Sequence, residues 1–177
     1  MDEILTERLK LRPLKWGDTD DFYQYAKTDK VGPPAGWKPH TSKLETLSVL
    51  KSLKSCGGVR AIEYQGKMIG TVSVQEDEKR IGMRARMIGY SINDAYWGMG
   101  IATEAAVAVI EHLFDTTNVD TIAGYCFPDN EASARVLTKC GMKREGLLKR
   151  SYLNYDSTVH DLICFLITRE EYESANA

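Results

Sequence analysis

Apolar residues along this chain change period several times, and each change marks an element. Between residues 3 and 13, Leu5, Leu9 and Leu11 stand among charges, as in a strand that Pro13 ends. Asp18 is placed to cap a following helix whose apolar side is Phe22, Tyr23 and Ala26. Ser42-Lys43-Leu44-Glu45 has capping-box spacing and predicts a helix to about Ser55, stopped by Gly57-Gly58. Residues 59–64 and 68–74 around Gln65-Gly66-Lys67 read as a hairpin, with the charged run 76–80 at its solvated end. Ile88, Tyr90 and Ile92 alternate with small residues in the next strand. Ala102, Ala105, Ala106, Val109, Ile110, Leu113 and Phe114 then follow the i, i+3, i+4, i+7 rule of a one-sided helix that ends near Thr117-Asn118. Residues 119–126 read as a strand. Asp129-Asn130 can cap a helix with Ser133, Val136, Leu137 and Cys140 on one side and Gly141 as its stop. Strands over 142–152 and 158–167 follow, and Thr168 and Glu171 repeat the capping-box spacing for a short last helix. The predicted order is β-α-α-β-β-β-α-β-α-β-β, an α+β chain. Its sheet is mostly antiparallel, with one β-loop-α-β unit in the middle and helices on both faces.

Composition narrows this picture without changing it. A chain of 177 residues with 43% hydrophobic and 27% charged residues suits one folded domain over its whole length. A net charge of −2 does not suggest a nucleic-acid partner, and no apolar run is long enough for a signal peptide or a membrane span, so a cytoplasmic protein is expected. Cys56, Cys126, Cys140 and Cys164 form no Cys-x-x-Cys and no close pair. Neither zinc nor a disulfide framework is indicated, and all four read as buried, inert thiols. The stretch Val31-Gly32-Pro33-Pro34-Ala35-Gly36-Trp37-Lys38-Pro39-His40 is a loop, and Trp37 there either lines a substrate pocket or pins the loop to the core.

Candidate chemistry concentrates at residues 88–104. The strand runs into Asn93-Asp94-Ala95, and Gly98 and Gly100 follow just before the long apolar-periodic helix. Glycines there let backbone N–H groups approach a ligand. The helix start adds unpaired donors and a positive dipole end, together a site for an anion such as a pyrophosphate. A P-loop requires Gly-Lys-Ser/Thr, but Gly100 is followed by Ile101-Ala102. A dinucleotide fingerprint requires a third glycine where Thr103 stands. A ligand-free tight turn also fits the two glycines alone.

Trp97-Gly98-Met99-Gly100-Ile101-Ala102-Thr103-Glu104-Ala105 resembles the acetyl-CoA loop of the GNAT N-acetyltransferase superfamily. Asn130-Glu131-Ala132-Ser133, Leu137 and Cys140-Gly141-Met142 resemble the second signature of its RimJ/RimL branch, which acetylates N-termini of ribosomal proteins. The opening Thr6-Glu7-Arg8-Leu9-Lys10-Leu11-Arg12-Pro13-Leu14 and the later Arg150-Ser151-Tyr152 match the same branch. The resemblance implies a GNAT fold: a mostly antiparallel, seven-stranded mixed sheet splayed between its fourth and fifth strands. It implies acetyl-CoA as co-substrate, no metal, and direct attack by a neutral amine on the thioester in a ternary complex. The backbone of Tyr90, Ser91 and Ile92 would pair with the pantetheine arm. Trp97, Gly98, Met99, Gly100, Ile101, Ala102 and Thr103 would form the pyrophosphate grip. Asn130 would orient the cofactor arm, and Ser133 would stand at the thiolate as acid or hydrogen-bond donor, because the tyrosine many relatives use is Leu137 here. Relatives often dimerise, which leaves a homodimer open.

Several points stay open at this level. The acceptor is a protein N-terminus or a small-molecule amine (polyamine, antibiotic or metabolite), with Trp37 and Tyr152 as pocket residues. A non-catalytic acyl-CoA-binding module is the alternative from another class. The proton acceptor has no assigned residue. Met87 fills one strand position where some relatives carry Glu, while Glu76, Asp156, His40 and His160 are further candidates. Glu104, in the first helical turn, reads as structural.

Overall fold

The computed structural model describes residues 3–176, which open on two strands where the leucine pattern suggested one. β1 (Ile4–Leu5) pairs antiparallel with β2 (Leu9–Pro13), Ile4 opposite Leu11. Between them Thr6 turns the chain: its hydroxyl accepts the Leu9 amide at 2.9 Å, and its own amide donates to the Leu9 carbonyl at 3.0 Å. The described residues therefore carry eight strands, not seven. The chain divides into two compact units. One takes residues up to Ser73 with Tyr90–Ala105, and the other takes Val74–Gly89 with the residues from Ala106 onward.

In the first unit, β2 pairs with β3 (Val59–Tyr64), and β3 pairs with β4 (Lys67–Glu76), all antiparallel. Gln65 (φ 50°) and Gly66 (φ 77°) make the two-residue turn, a left-handed pair whose twist matches that of the strands it joins. Helices α1 (Thr19–Ala26) and α2 (Lys43–Cys56) share a core with this sheet built from Leu14, Phe22, Tyr25, Leu50, Ala61 and Met68. The limits of α2 are those its sequence predicts. Ser42 Oγ accepts the Glu45 amide at 3.1 Å, and Gly57 (φ 72°) closes the helix. Asp18 does not cap α1. Its buried carboxylate takes two bonds from Arg12 (2.8 and 2.9 Å) and one from the Lys15 amide (2.7 Å), because a buried guanidinium outcompetes a solvated helix end.

His40 is buried in this unit, 7% exposed, between Phe22 and Trp37 with both ring centroids 5.4 Å away. Its Nδ1 lies 2.9 Å from Thr46 Oγ1, whose proton goes to the Ser42 carbonyl, so Nδ1 carries the hydrogen. Burial holds the imidazole pKa below its ordinary value, with Glu45 opposing and Lys38 reinforcing. Below about pH 6.5 the unfolded chain therefore takes a proton that the folded chain refuses. Stability should fall as pH drops through that range, and His40→Gln should flatten the fall. Melting temperatures from pH 7.5 to 5.5, two values set about one unit either side of the ordinary imidazole pKa, measure both.

In the second unit, β5 (Ala85–Ile92) starts parallel to β6 (Thr121–Cys126), in register from Ala85↔Thr121 to Ile88↔Gly124. Strand β8 (Val159–Thr168) pairs antiparallel with both β6 and β7 (Lys143–Leu153), giving the order β5-β6-β8-β7. Among the described residues the chain is thus α+β, with β5 and β6 parallel within a largely antiparallel arrangement, the class that the sequence predicts. Helix α3 (Ile101–Thr116) buries Ile101, Ala105, Ala106, Val109, Ile110, Leu113 and Phe114, the expected stripe with Ile101 in place of Ala102. Helix α4 (Glu131–Lys139) lies close on β6: a Cβ on Gly124 would come within 2.4 Å of Leu137 Cδ2. A capping box from Thr168 and Glu171 opens α5 (Arg169–Ala175).

Three cysteines are buried as expected, and burial pushes each thiol pKa up, that of Cys140 to about 12. Cys56 corrects the fourth expectation. It is the last residue of α2 and is exposed, beyond the stripe of Thr46, Leu50 and Leu53 that the helix turns inward. Iodoacetamide should label Cys56 alone in the native protein and all four thiols after unfolding, as read by intact mass.

Candidate functional site

The glycine loop is assembled locally. After β5, Asn93 Oδ1 accepts the Ala95 amide at 3.1 Å, and a short 3-10 turn covers Asp94–Tyr96. Trp97 Nε1 then donates to the Ile92 carbonyl at 2.8 Å, tying the loop back to the strand end. The indole is thereby committed to holding the loop's shape, while its residue stays half exposed (53%). Gly98 (φ 78°) and Gly100 (φ 75°) are left-handed and exposed, so both positions favour glycine on backbone grounds. A Cβ on Gly98 would meet nothing within 4 Å, and one on Gly100 would meet only Arg8 Nη2 at 3.7 Å. Helix α3 starts at once, the Glu104 amide donating to the Gly100 carbonyl at 3.0 Å. An uncluttered glycine turn at the positive end of a 16-residue helix suits an anion such as a pyrophosphate.

Glu104 fixes this loop to the N-terminal strands. It accepts from Thr6 Oγ1 (2.5 Å), the Arg8 amide (3.0 Å), Arg8 Nε (2.7 Å) and Arg8 Nη2 (2.6 Å). Burial pushes its carboxyl up, but these bonds outweigh burial and hold it below the ordinary range. The structural reading of Glu104 thus acquires named partners. Arg8 is the residue that loop-centred reading overlooked. The loop from Asn93 to Thr103 contains no Lys or Arg, and that absence was the available signal that a cation comes from elsewhere in the chain. A second tie, Lys30 to Asp94 at 2.8 Å, links the loop to residues 29–41.

Trp37 packs against the first unit's core and stands beside buried His40. Gly32 makes room for it, since a Cβ there would fall 2.8 Å from the indole. These contacts hold the loop against the core, and His40 is enclosed with it. Tyr90, Ser91 and Ile92 form the end of β5 in this same unit, with Ser91 Oγ 3.0 Å from Thr71 Oγ1.

The remaining predicted residues lie in the second unit. Asn130 Oδ1 accepts the Ser133 amide at 3.0 Å as the N-cap of α4, which gives the Asn-x-x-Ser spacing a local reason. Ser133 is half-buried in the first turn. Tyr152 stands on β7 opposite His160 of β8, and Phe127 packs on both, with centroids 5.4 Å from Tyr152 and 4.9 Å from His160. Met87, half-buried on β5, pairs with Ala123, and Glu76 is exposed at the end of β4.

Among the described residues no helix is long and apolar enough to cross a membrane. No group of three metal-ligating side chains occurs among them either.

The order of elements and the glycine loop agree with the family resemblance read from the sequence, and comparison with known proteins bears it out. Residues 8–143 match the acetyltransferase (GNAT) domain family. The chain is 40% identical over 149 residues to the uncharacterized N-acetyltransferase YnaD of Bacillus subtilis, covering 83% of this chain and 86% of that one. It is 29% identical over 139 residues to the [ribosomal protein uS5]-alanine N-acetyltransferase of Escherichia coli, covering 78% and 70%. The crystal structure of a GNAT-family acetyltransferase from Bacillus anthracis superposes with a TM-score of 0.85 at 24% identity, over 95% of this chain and 99% of that one. The chain belongs to the GNAT acetyltransferase family, and it is an acetyl-CoA-dependent N-acetyltransferase.

Proposed function

We propose that this enzyme moves the acetyl group of acetyl-CoA to the N-terminal amine of a protein, by direct attack in a ternary complex. The observation that carries the cofactor half is the exposed pair of left-handed glycines between β5 and α3, backed by a full-length helix. The acceptor half is supported by the relative named for uS5-alanine acetylation. Amides of residues 98–103 hold the pyrophosphate, with Arg8 as the nearby cation, and the backbone of Tyr90, Ser91 and Ile92 pairs with the pantetheine arm. Asn130 keeps the first turn of α4 in place, and Ser133 donates a hydrogen bond to the departing sulfur. In the reaction the amine nitrogen bonds to the acetyl carbonyl carbon, the carbon–sulfur bond breaks, and an N–H proton leaves. A backbone N–H is the donor for the developing oxyanion, a device worth several kcal/mol where it has been removed. The protein acts as one domain in this reading.

Calorimetric titration with acetyl-CoA, followed by mass spectrometry of peptides with free Ala, Ser or Met N-termini and of a polyamine panel, tests both halves. Binding together with acetylation of an α-amine is the expected result. Acetylation confined to the polyamines would move the acceptor to small molecules, and no binding of acetyl-CoA would overturn the reading altogether.

A further inference from the structure

Three hydroxyls of the first unit hold more hydrogens than the protein gives them acceptors. Tyr25, on α1, is 0% exposed, and its ring is part of the core with Phe22 and Leu50. Its phenol oxygen is buried too and, among the described residues, has no hydrogen-bond partner. Burial raises the phenol pKa, with the Ser91 and Thr71 hydroxyls opposing and Asp18 reinforcing, so the phenol keeps its hydrogen. Phenylalanine would fill the same space without an unpaired polar group, which makes the oxygen costly to keep. Thr71 on β4 and Ser91 on the neighbouring β5 are half-buried, and their hydroxyls lie 3.0 Å apart. That contact uses one of their two hydrogens. The strands are pressed together here: a Cβ on Gly70 would fall 2.3 Å from the Ser91 carbonyl, and the Asn93 amide donates to the Ile69 carbonyl at 2.8 Å.

The enclosure of Tyr25 sets the direction of this group. The phenol hydrogen has the Thr71 and Ser91 oxygens to turn toward, and the hydrogen of whichever accepts it turns to the other. The last hydrogen then leaves on the half-buried side, where it takes the lone pair of a neutral oxygen. A carbonyl supplies one, whereas an ammonium would bring further hydrogens to a place already in surplus. We infer that the Ser91 hydroxyl donates a hydrogen bond to a carbonyl oxygen of a bound substrate, with Thr71 and Tyr25 as positioning residues behind it. The assignment rests on the proposed reading of residues 90–92 as the strand that pairs with the pantetheine arm. The carbonyl is that of the acetyl thioester or that of the acceptor's first residue, and both present the same kind of oxygen. A donor fixed on a packed strand needs little reorganisation when that oxygen arrives.

The infrared carbonyl band of bound acetyl-CoA, carrying a heavy carbon isotope at the thioester carbonyl, reads the first source with no acceptor present. If the thioester is the partner, the band moves to higher frequency in Ser91→Ala and returns in Ser91→Thr, which keeps a hydroxyl. Calorimetric titration of the CoA complex with a peptide bearing N-terminal alanine, and with an alkylamine that has no carbonyl, reads the second. If the acceptor is the partner, Ser91→Ala weakens the peptide by about 2–10-fold, the worth of one neutral hydrogen bond, and leaves the alkylamine unchanged. Either result supports the inference. A band and a peptide affinity that both stay at wild-type values, in a Ser91→Ala protein whose melting curve shows it folded, overturn it. Tyr25→Phe tests the group behind Ser91. A smaller loss in the same readout is expected, whereas a higher melting temperature with wild-type readouts removes Tyr25 from the assignment. Wild-type protein that binds no acetyl-CoA refutes the acetyl-transfer reading itself, a result distinct from all of these.

Discussion

Gly98→Ala is expected to weaken acetyl-CoA binding by about tenfold or more and to lower the melting temperature by only a few degrees, about 2–4 °C per kcal/mol for a chain of this size. The asymmetry comes from where the residue sits. A methyl on Gly98 meets nothing within 4 Å, so it costs nothing in packing. What it costs is the left-handed backbone, about 1–2 kcal/mol for a residue with a Cβ. In the free protein this exposed loop can escape that cost by moving to another conformation. Gripping a pyrophosphate with its amides forces the φ of 78° back, and the strain then appears as lost affinity. Gly124→Ala makes the useful contrast. There the methyl would fall 2.4 Å from Leu137, so its effect should be on stability. Calorimetric dissociation constants beside melting curves separate the two variants, and an unchanged acetyl-CoA affinity in Gly98→Ala would sink the assignment of the loop.

Elements set by neighbours in sequence were legible from sequence. The stripe of α3, the Ser42 and Thr168 caps, the Gln65-Gly66 turn and the glycine stop at Gly57 all act within a few residues, and each stands within a residue of where it was read. Features set by distant partners were not legible. Asp18 looks like a helix cap until Arg12, on the preceding strand, is seen to bind it and Glu63 together. The packing of Trp37 depends on Gly32 and on the core around Phe22, which its own stretch of sequence does not reveal. The exposure of Cys56 depends on where α2 outruns the surface it covers, which a helical period does not state. The site divides the same way. Its glycines and the Asn130 cap are local signatures, whereas the Arg8–Glu104 clamp joins residues 96 apart.

Arg12→Ala should be the most damaging single truncation for folding, at about 3–5 kcal/mol. The guanidinium is 5% exposed and makes a paired contact with Asp18 at 2.8 and 2.9 Å, while its Nε binds Glu63 and Nη1 also reaches the Pro13 carbonyl at 3.1 Å. The Asp18 bond, opposed by burial and reinforced by Glu63, raises its pKa above the ordinary value, so it stays charged. Removing it leaves the Asp18 carboxylate buried without its cation, and an unpaired buried charge costs more than the pair was worth. Asp18→Ala should do less harm, since Arg12 keeps Glu63 as a partner. Adding Asp18→Asn to Arg12→Met should recover part of the loss, because the stranded charge is then gone. For a chain of this length each kcal/mol moves the midpoint by about 2–4 °C, so Arg12→Ala should melt roughly 6–20 °C early. A drop below about 1 kcal/mol in urea unfolding would mean that water reaches Asp18, and that the strand before α1 is held by its apolar residues alone.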